Sequence, residues 1–333
     1  MSPATGVREL PALPVDIARL RFTVHADERM ALPFFAGSML RGAYGHALRR
    51  LVCMTSMPSC DGCPLRATCA FPRLFDPFGL NVAAVGLAAG SAQPPPPFAI
   101  DPPPLGAVMI EPGQSWTFGQ RLFGKAIRDL PVIVEAWRRA LLRGLGAKRA
   151  RGLLVGVEYR NGDNWSAIYD PETGLLEEIP AIRPPITTIS KSSTGLTITF
   201  VTPLRLQSNA RRLKREAITA RRLVADALRR ARLIAVSAGG SDAHAVVAGW
   251  PVRAWLEEAE NAGLAETLRW IDWTRQSSRQ GQFITLGGWL GTITVSSASG
   301  GILAALALGE HTGLGKETVF GFGQYSLSAA IEC

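Results

Sequence analysis

One layout occurs twice along the chain, and that repetition constrains the fold more than any other feature. Near the start, a strand-like run from Ala18 to His25 leads through a loop into a helical stretch, Gly37 to Val52. In the second half, Gly195 to Pro203 is an extended run rich in Ile, Thr, Phe and Val, and a helical pattern from about Ser208 to Ile234 follows it. Each half then reaches a similar phrase: Gly144-Leu145-Gly146, five residues and Gly152 in the first, Gly313-Leu314-Gly315, five residues and Gly321 in the second. Apolar residues alternate after both phrases, through Val155, Val157 and Tyr159 and through Tyr325, Leu327, Ala329 and Ile331, as half-buried strands require. Two tandem β-α-β-β-α-β units explain this order. The predicted class is therefore α+β.

A chain of 333 residues accommodates two such units. The boundary is predicted at 180–194, where Pro184, Pro185 and a Ser/Thr-rich run interrupt the pattern, giving domains 1–185 and 190–333. Seven prolines between Pro94 and Pro104 read as a stiff loop of the first domain, about residues 91–105. No apolar run approaches the roughly 18 residues of a membrane helix, and no basic segment precedes an apolar stretch at the N-terminus. The expectation is a cytoplasmic protein with no membrane partner.

The formal net charge is +9, and it is concentrated. Residues 211–232 hold nine basic groups, including Arg211, Arg212, Arg215 and Arg222, against Glu216 and Asp226. Residues 138–151 hold six, including Lys148, Arg149 and Arg151, with no acid. Leu213, Ala217, Ala220, Val224, Ala227, Ala231 and Ile234 recur at helical spacing, so one face is predicted buried and the arginines take the other arc. A solvated helix face is the plain reading. Contact with nucleic-acid phosphates is the functional one, favoured because arginines outnumber acids and match phosphate geometry. The phrase Gly313 to Gly323 places Lys316 between two G-x-G pairs (Gly313 and Gly315, Gly321 and Gly323), a pattern able to cradle an anion or simply to turn the chain.

Three phrases together resemble the CRISPR-associated endoribonucleases that process precursor CRISPR RNA, within the RAMP superfamily. They are the C-terminal glycine loop; Gly37 to Arg49 (GSMLRGAYGHALR); and Trp270 to Gln280 (WIDWTRQSSRQ) leading into Leu286 to Gly291. The resemblance implies two ferredoxin-like domains, metal-independent cleavage of CRISPR repeat RNA, and RNA contacts by Arg41, Arg49, Arg275, Arg279, His311 and the glycine loop. The first-half phrase departs from the pattern, with Leu154 where a final glycine would stand. Other Cas subunits of an effector complex are further candidate partners. The alternative is a noncatalytic guide-RNA-binding subunit built on the same fold.

Metal-free RNA cleavage uses the substrate's 2′-hydroxyl as nucleophile and leaves a 2′,3′-cyclic phosphate and a 5′-hydroxyl. It needs a base, an acid for the departing 5′-oxygen, and cations for the phosphorane. Histidine suits the proton transfers near neutral pH. His46 lies on the first predicted helix with Gly42, Arg49 and Arg50 on its face, and the resemblance also points to a first-domain histidine near this helix. His46 is the candidate catalytic residue, with Arg50 beside it for the phosphate and Tyr44 as a second acid or base. His25 is the next candidate.

Cys53, Cys60, Cys63 and Cys69 fall within 17 residues, with Pro58, Gly62 and Pro64 supplying turns. Four thiolates can close a tetrahedral zinc site with no open position, so a structural zinc is expected to hold a small insertion at about residues 53–70, and no catalytic metal. An iron–sulfur cluster would take the same four ligands.

Overall fold

The computed structural model describes residues 13–88, 93–180, 195–208, 211–276, 283–296, 298 and 300–330. The first half contains β1 (Ile17–Ala26), β2 (Met30–Leu32), α1 (Gly37–Val52), α2 (Ala70–Phe75), β3 (Phe98–Asp101), β4 (Val108–Ile110), β5 (Ser115–Phe123), α3 (Leu130–Arg143), β6 (Gly152–Asn161) and β7 (Asn164–Ala167). Its main sheet has the antiparallel order β3-β5-β1-β6-β7. Without the edge strand β7, this is the strand order of a β-α-β-β-α-β unit, with β1, β3, β5 and β6 as its four strands. Along β1, Ala18, Leu20, Phe22, Val24 and Ala26 are buried under α1 and α3, while Arg19, Arg21, Thr23 and His25 occupy the opposite face. The core between sheet and helices is aromatic: Trp137 packs against Phe22, Phe118 and Tyr44.

The second half contains β8 (Gly195–Phe200), β9 (Gln207–Ser208), β10 (Arg211–Arg212), α4 (Ala220–Ala238), α5 (Ser241–Ala248), α6 (Val252–Glu260), β11 (Leu264–Glu266), β12 (Arg269–Gln276), β13 (Phe283–Leu290), β14 (Thr292–Ser296), α7 (Gly300–Thr312) and β15 (Tyr325–Ala329). Its sheet runs β11-β14-β8-β15, again antiparallel, with α4 and α7 covering one face. The duplicated unit predicted from sequence is present in both halves. The boundary proposed at 180–194 lies, from residue 181 on, outside the described residues.

Three local expectations change. The helix predicted from about Ser208 begins instead at Ala220. Thr219 caps it by accepting from the Arg222 amide, and the preceding described residues form the β9–β10 pairing and a short 3-10 turn at 215–217. Leu213 and Ala217 extend the helical spacing, but the Leu213 amide donates to the Leu206 carbonyl and not along a helix. The proline-rich stretch is not one loop, because β3 lies between its two runs, buried and paired with β5. Finally, β12 and β13 form a separate two-stranded ribbon that joins neither main sheet.

The two halves share buried surface. Leu13, Val15, Ile17, Val85, Ala99 and Phe123 belong to the second half's core. Beside them lies a polar contact: Arg121, 3% exposed, pairs with Asp101 at 2.8 Å and donates to the His311 carbonyl at 2.7 Å. Gln324 donates to the Ile100 carbonyl and to Asp101. Burial lowers the Arg19 pKa to about 10 and that of Arg230 to about 9; Arg121 adds to both shifts by repulsion.

Candidate nucleic-acid interface

Helix α1 turns Leu40, Tyr44, Ala47 and Leu48 inward, which leaves His46 and Arg50 exposed one turn apart. Arg41 sits over the rings of Phe75 and Phe320, and so spans from α1 to the second half's glycine loop. Arg49 is committed elsewhere: its guanidinium donates to the Met57 and Pro58 carbonyls at 2.5 and 3.0 Å. Tyr44 is corrected. Its ring is wholly buried among Phe98, Trp137 and Phe75, and its hydroxyl lies beside Gln120 without a well-formed hydrogen bond. Burial pushes the phenol's pKa far above its ordinary value, and no surface route reaches it, so it packs the core and meets no substrate. His25 lies half-buried on the far face of β1, 3.5 Å from the Ser115 hydroxyl.

The basic segments are partly neutralised by acids, some distant in sequence and some within one helical turn. Arg215 pairs with Glu266, Arg222 with Asp226 and the Gln207 carbonyl, and Arg221 with Glu260. Asp226 is held above the usual carboxylate range by burial, which outweighs the attraction of Arg222. Glu266 is held below it by the Arg215 hydrogen bonds. Arg230 is buried, contrary to its predicted place on the solvent arc, because the helix is covered on two sides. In the other segment Arg138 and Arg139 share Glu135, and Arg151 pairs with Glu28, whereas Lys148 and Arg149 are exposed in the turn between α3 and β6.

The second glycine loop is also corrected in part. Gly313, Gly321 and Gly323 are buried, and each gives room to protein and not to a ligand. At Gly323 (φ +64°) a Cβ would fall 1.9 Å from the Leu314 carbonyl oxygen, and at Gly321 the space is taken by the Ile100 carbonyl. His311 is buried beside Arg19, whose guanidinium is 3.1 Å from its Nδ1. The exposed part of this loop is Lys316, with Gly315 half-buried next to it. The loop therefore joins the halves: Phe320 reaches α1 and Gly321 reaches β3, while the Lys316 amide donates to the Arg205 carbonyl within the second half.

The β12–β13 ribbon adds Trp270 and Arg269 to the basic segment that begins at Arg211. Arg212 stacks over the Trp270 ring at 4.2 Å, and Arg211, Lys214 and Arg269 are exposed nearby in sequence. Trp273 packs against Phe34, Phe35 and Phe322, tying the ribbon to the first half. The alternation Trp270, Asp272, Thr274 within the sequence was the signal available for this ribbon. Arg275 lies on β12 opposite Ile284; Arg279 falls outside the described residues.

Cys53, Cys60, Cys63 and Cys69 line a single cavity of about 290 Å³ at the C-terminal end of α1. Among the described residues, no three His, Cys, Asp or Glu side chains lie close enough to ligate one metal ion. The disposition brings the thiols together around a space, without closing them on a point. Among the described residues, no helix is long and apolar enough to cross a membrane.

Comparison with known proteins agrees with the two-part architecture. A model described as an N-terminal domain matches residues 13–181, and that of the CRISPR-associated endoribonuclease Cas6 matches residues 198–325. An uncharacterized protein of Archaeoglobus fulgidus is 27% identical over 152 residues, 46% of this chain and 49% of that protein, so the match spans about half of the relative's length. Among solved structures, a partial Cas6-RT-Cas1–Cas2 complex matches 97% of this chain and 47% of its own with a TM-score of 0.51 at 13% identity. A Cas6 product complex matches 93% of this chain and 99% of its own, with a TM-score of 0.49 and 15% identity. The duplicated ferredoxin-like topology and the match over residues 198–325 lead to one assignment: the second half of the chain is a domain of the CRISPR-associated endoribonuclease Cas6 family.

Proposed function

We propose that this protein cleaves CRISPR repeat RNA without a catalytic metal, by attack of the RNA 2′-hydroxyl, giving 2′,3′-cyclic phosphate and 5′-hydroxyl ends. The observation that carries the reading is the exposed pair His46 and Arg50 on α1, in a chain whose second half is a domain of this family. The imidazole would move the proton and the guanidinium would take the phosphate charge. Arg211, Arg212, Lys214 and Lys316 on one half, with Lys148 and Arg149 on the other, supply exposed cations for the RNA backbone, and Trp270 backs one of them. Other Cas subunits are proposed as further partners.

The second reading, a noncatalytic RNA-binding subunit, is favoured by the burial of Tyr44, which leaves His46 as the one accessible acid–base side chain identified on α1. Incubation with the neighbouring repeat RNA in EDTA separates the two. Cleavage with cyclic-phosphate ends supports the nuclease. Binding without cleavage selects the second reading, and cleavage that survives His46→Ala refutes the role given to His46.

A further inference from the structure

We propose that the joint between the two halves binds a small monovalent anion, held by the Nη2 groups of Arg121 and Arg230. Three guanidiniums meet at this joint. Arg19 and Arg121 stand directly opposite each other on β1 and β5, a like-charge pairing that is unfavourable in a sheet. Arg230 comes from α4 of the second half, and it and Arg121 are only 8% and 3% exposed. All three reach the C-terminal end of α7. Arg121 Nη1 donates to the His311 carbonyl at 2.7 Å, and Arg230 Nε donates to the Thr312 carbonyl at 3.4 Å. Arg19 Nη2 lies 3.1 Å from His311 Nδ1.

These contacts leave donors over. Arg121 uses Nε on Asp101 at 2.8 Å, but its Nη2 and that of Arg230 are buried and find no acceptor among the described residues. A guanidinium does not discharge by losing a proton, so a buried one calls for a counter-charge and for acceptors. The charges acting at the joint do not balance. Asp101 and Glu310 attract Arg19, while Arg160, which also acts on it, has its own partner in Asp163. Three guanidiniums against two carboxylates leave one positive charge, and the negative end of α7 offsets only part of it. Arg230 is repelled by Arg121, and no carboxylate compensates. A monovalent ion cancels this excess, whereas a dianion would reverse it. Accepting from Arg121 of one half and Arg230 of the other, the ion would tie the halves together beside the Gln324–Asp101 hydrogen bond. The site is independent of RNA cleavage.

Chloride is the probe, exchanged for the bulkier gluconate at constant ionic strength on the full chain. The melting temperature should rise with chloride and follow a one-site curve, gaining roughly 3 °C when chloride reaches about ten times its dissociation constant. Arg230→Met removes one donor and the excess charge together, and its melting temperature should not respond to chloride. Crystals grown in bromide should show one anomalous peak between the two Nη2 atoms. A wild-type protein indifferent to chloride, or an equal response in Arg230→Met, overturns the proposal. Stabilisation by sulfate or phosphate without any by chloride overturns the monovalent assignment. If Arg230→Met fails to fold, the bromide peak decides, and its absence at the arginines overturns the site.

Discussion

Two glycines of α1, five residues apart, should respond to alanine with opposite signs. Gly37 opens the helix against the second half's glycine loop, and a Cβ built there would lie 1.8 Å from the Phe320 carbonyl oxygen and 2.9 Å from the Phe35 ring. Contacts below 3.0 Å do not occur for real Cβ atoms, so the helix or the loop must move by more than 1 Å. The obstacle is backbone, pinned by Gly321 against β3, and it cannot rotate away as a side chain would. Overpacking of this kind costs about 1–3 kcal/mol, and the rigid partner places Gly37→Ala near 3 kcal/mol. At Gly42 a Cβ meets nothing within 4 Å, so Gly42→Ala should gain roughly 0.5–1 kcal/mol from lower backbone entropy in the unfolded chain. Urea unfolding followed by tryptophan fluorescence and circular dichroism would measure both. At roughly 2–4 °C per kcal/mol, the two melting temperatures should differ by about 10 °C. Gly37→Ala as stable as wild type, or Gly42→Ala less stable, would refute the close approach of α1 to the loop.

Three further outcomes follow from the same structure. His46→Ala should slow single-turnover cleavage by roughly 10²–10⁴-fold with repeat binding unchanged, whereas Tyr44→Phe should leave the rate untouched, as gel-resolved time courses would report. Asp101→Asn strips the charge partner from Arg121, itself 3% exposed, and should cost about 3–5 kcal/mol in denaturant unfolding; a loss under 1 kcal/mol would contradict a buried Arg121 that relies on this carboxylate. Glu135 is held near pKa 2 by hydrogen bonds from Arg138 and Arg139. A depressed carboxylate stabilises above its unfolded pKa, so Glu135→Gln should cost about 1 kcal/mol at pH 7 after allowance for its partial exposure, with the difference vanishing as pH falls from 4.5 through 2.

Much of the architecture was legible locally. The strand at β1 and the helix at α1 follow from alternation and from three-and-four spacing, which depend only on which faces are covered. Repetition of the pattern then implied two like units. The start of α4 was not legible from spacing, since Leu213 and Ala217 fit it equally well; the Thr219 cap decided it. The ribbon at β12 and β13 was present as a phrase of the family resemblance, but nothing in its residues says that it stands apart from both sheets.

By itself, then, the sequence determined the duplicated unit, the family resemblance, the exposed face of α1 with His46, and the clustering of four cysteines. These follow from periodicity and from neighbours in the chain. Only the tertiary structure decided what each charge and each glycine faces. Arg215, Arg222 and Arg151 meet acids from 51, 4 and 123 residues away, and no counting of basic residues anticipates the distant pairs. A glycine with positive φ permits close approach by any backbone, and whether a ligand or the protein itself fills that space is settled by packing. At Gly321 and Gly323 the protein fills it, because the loop is the joint between the two halves.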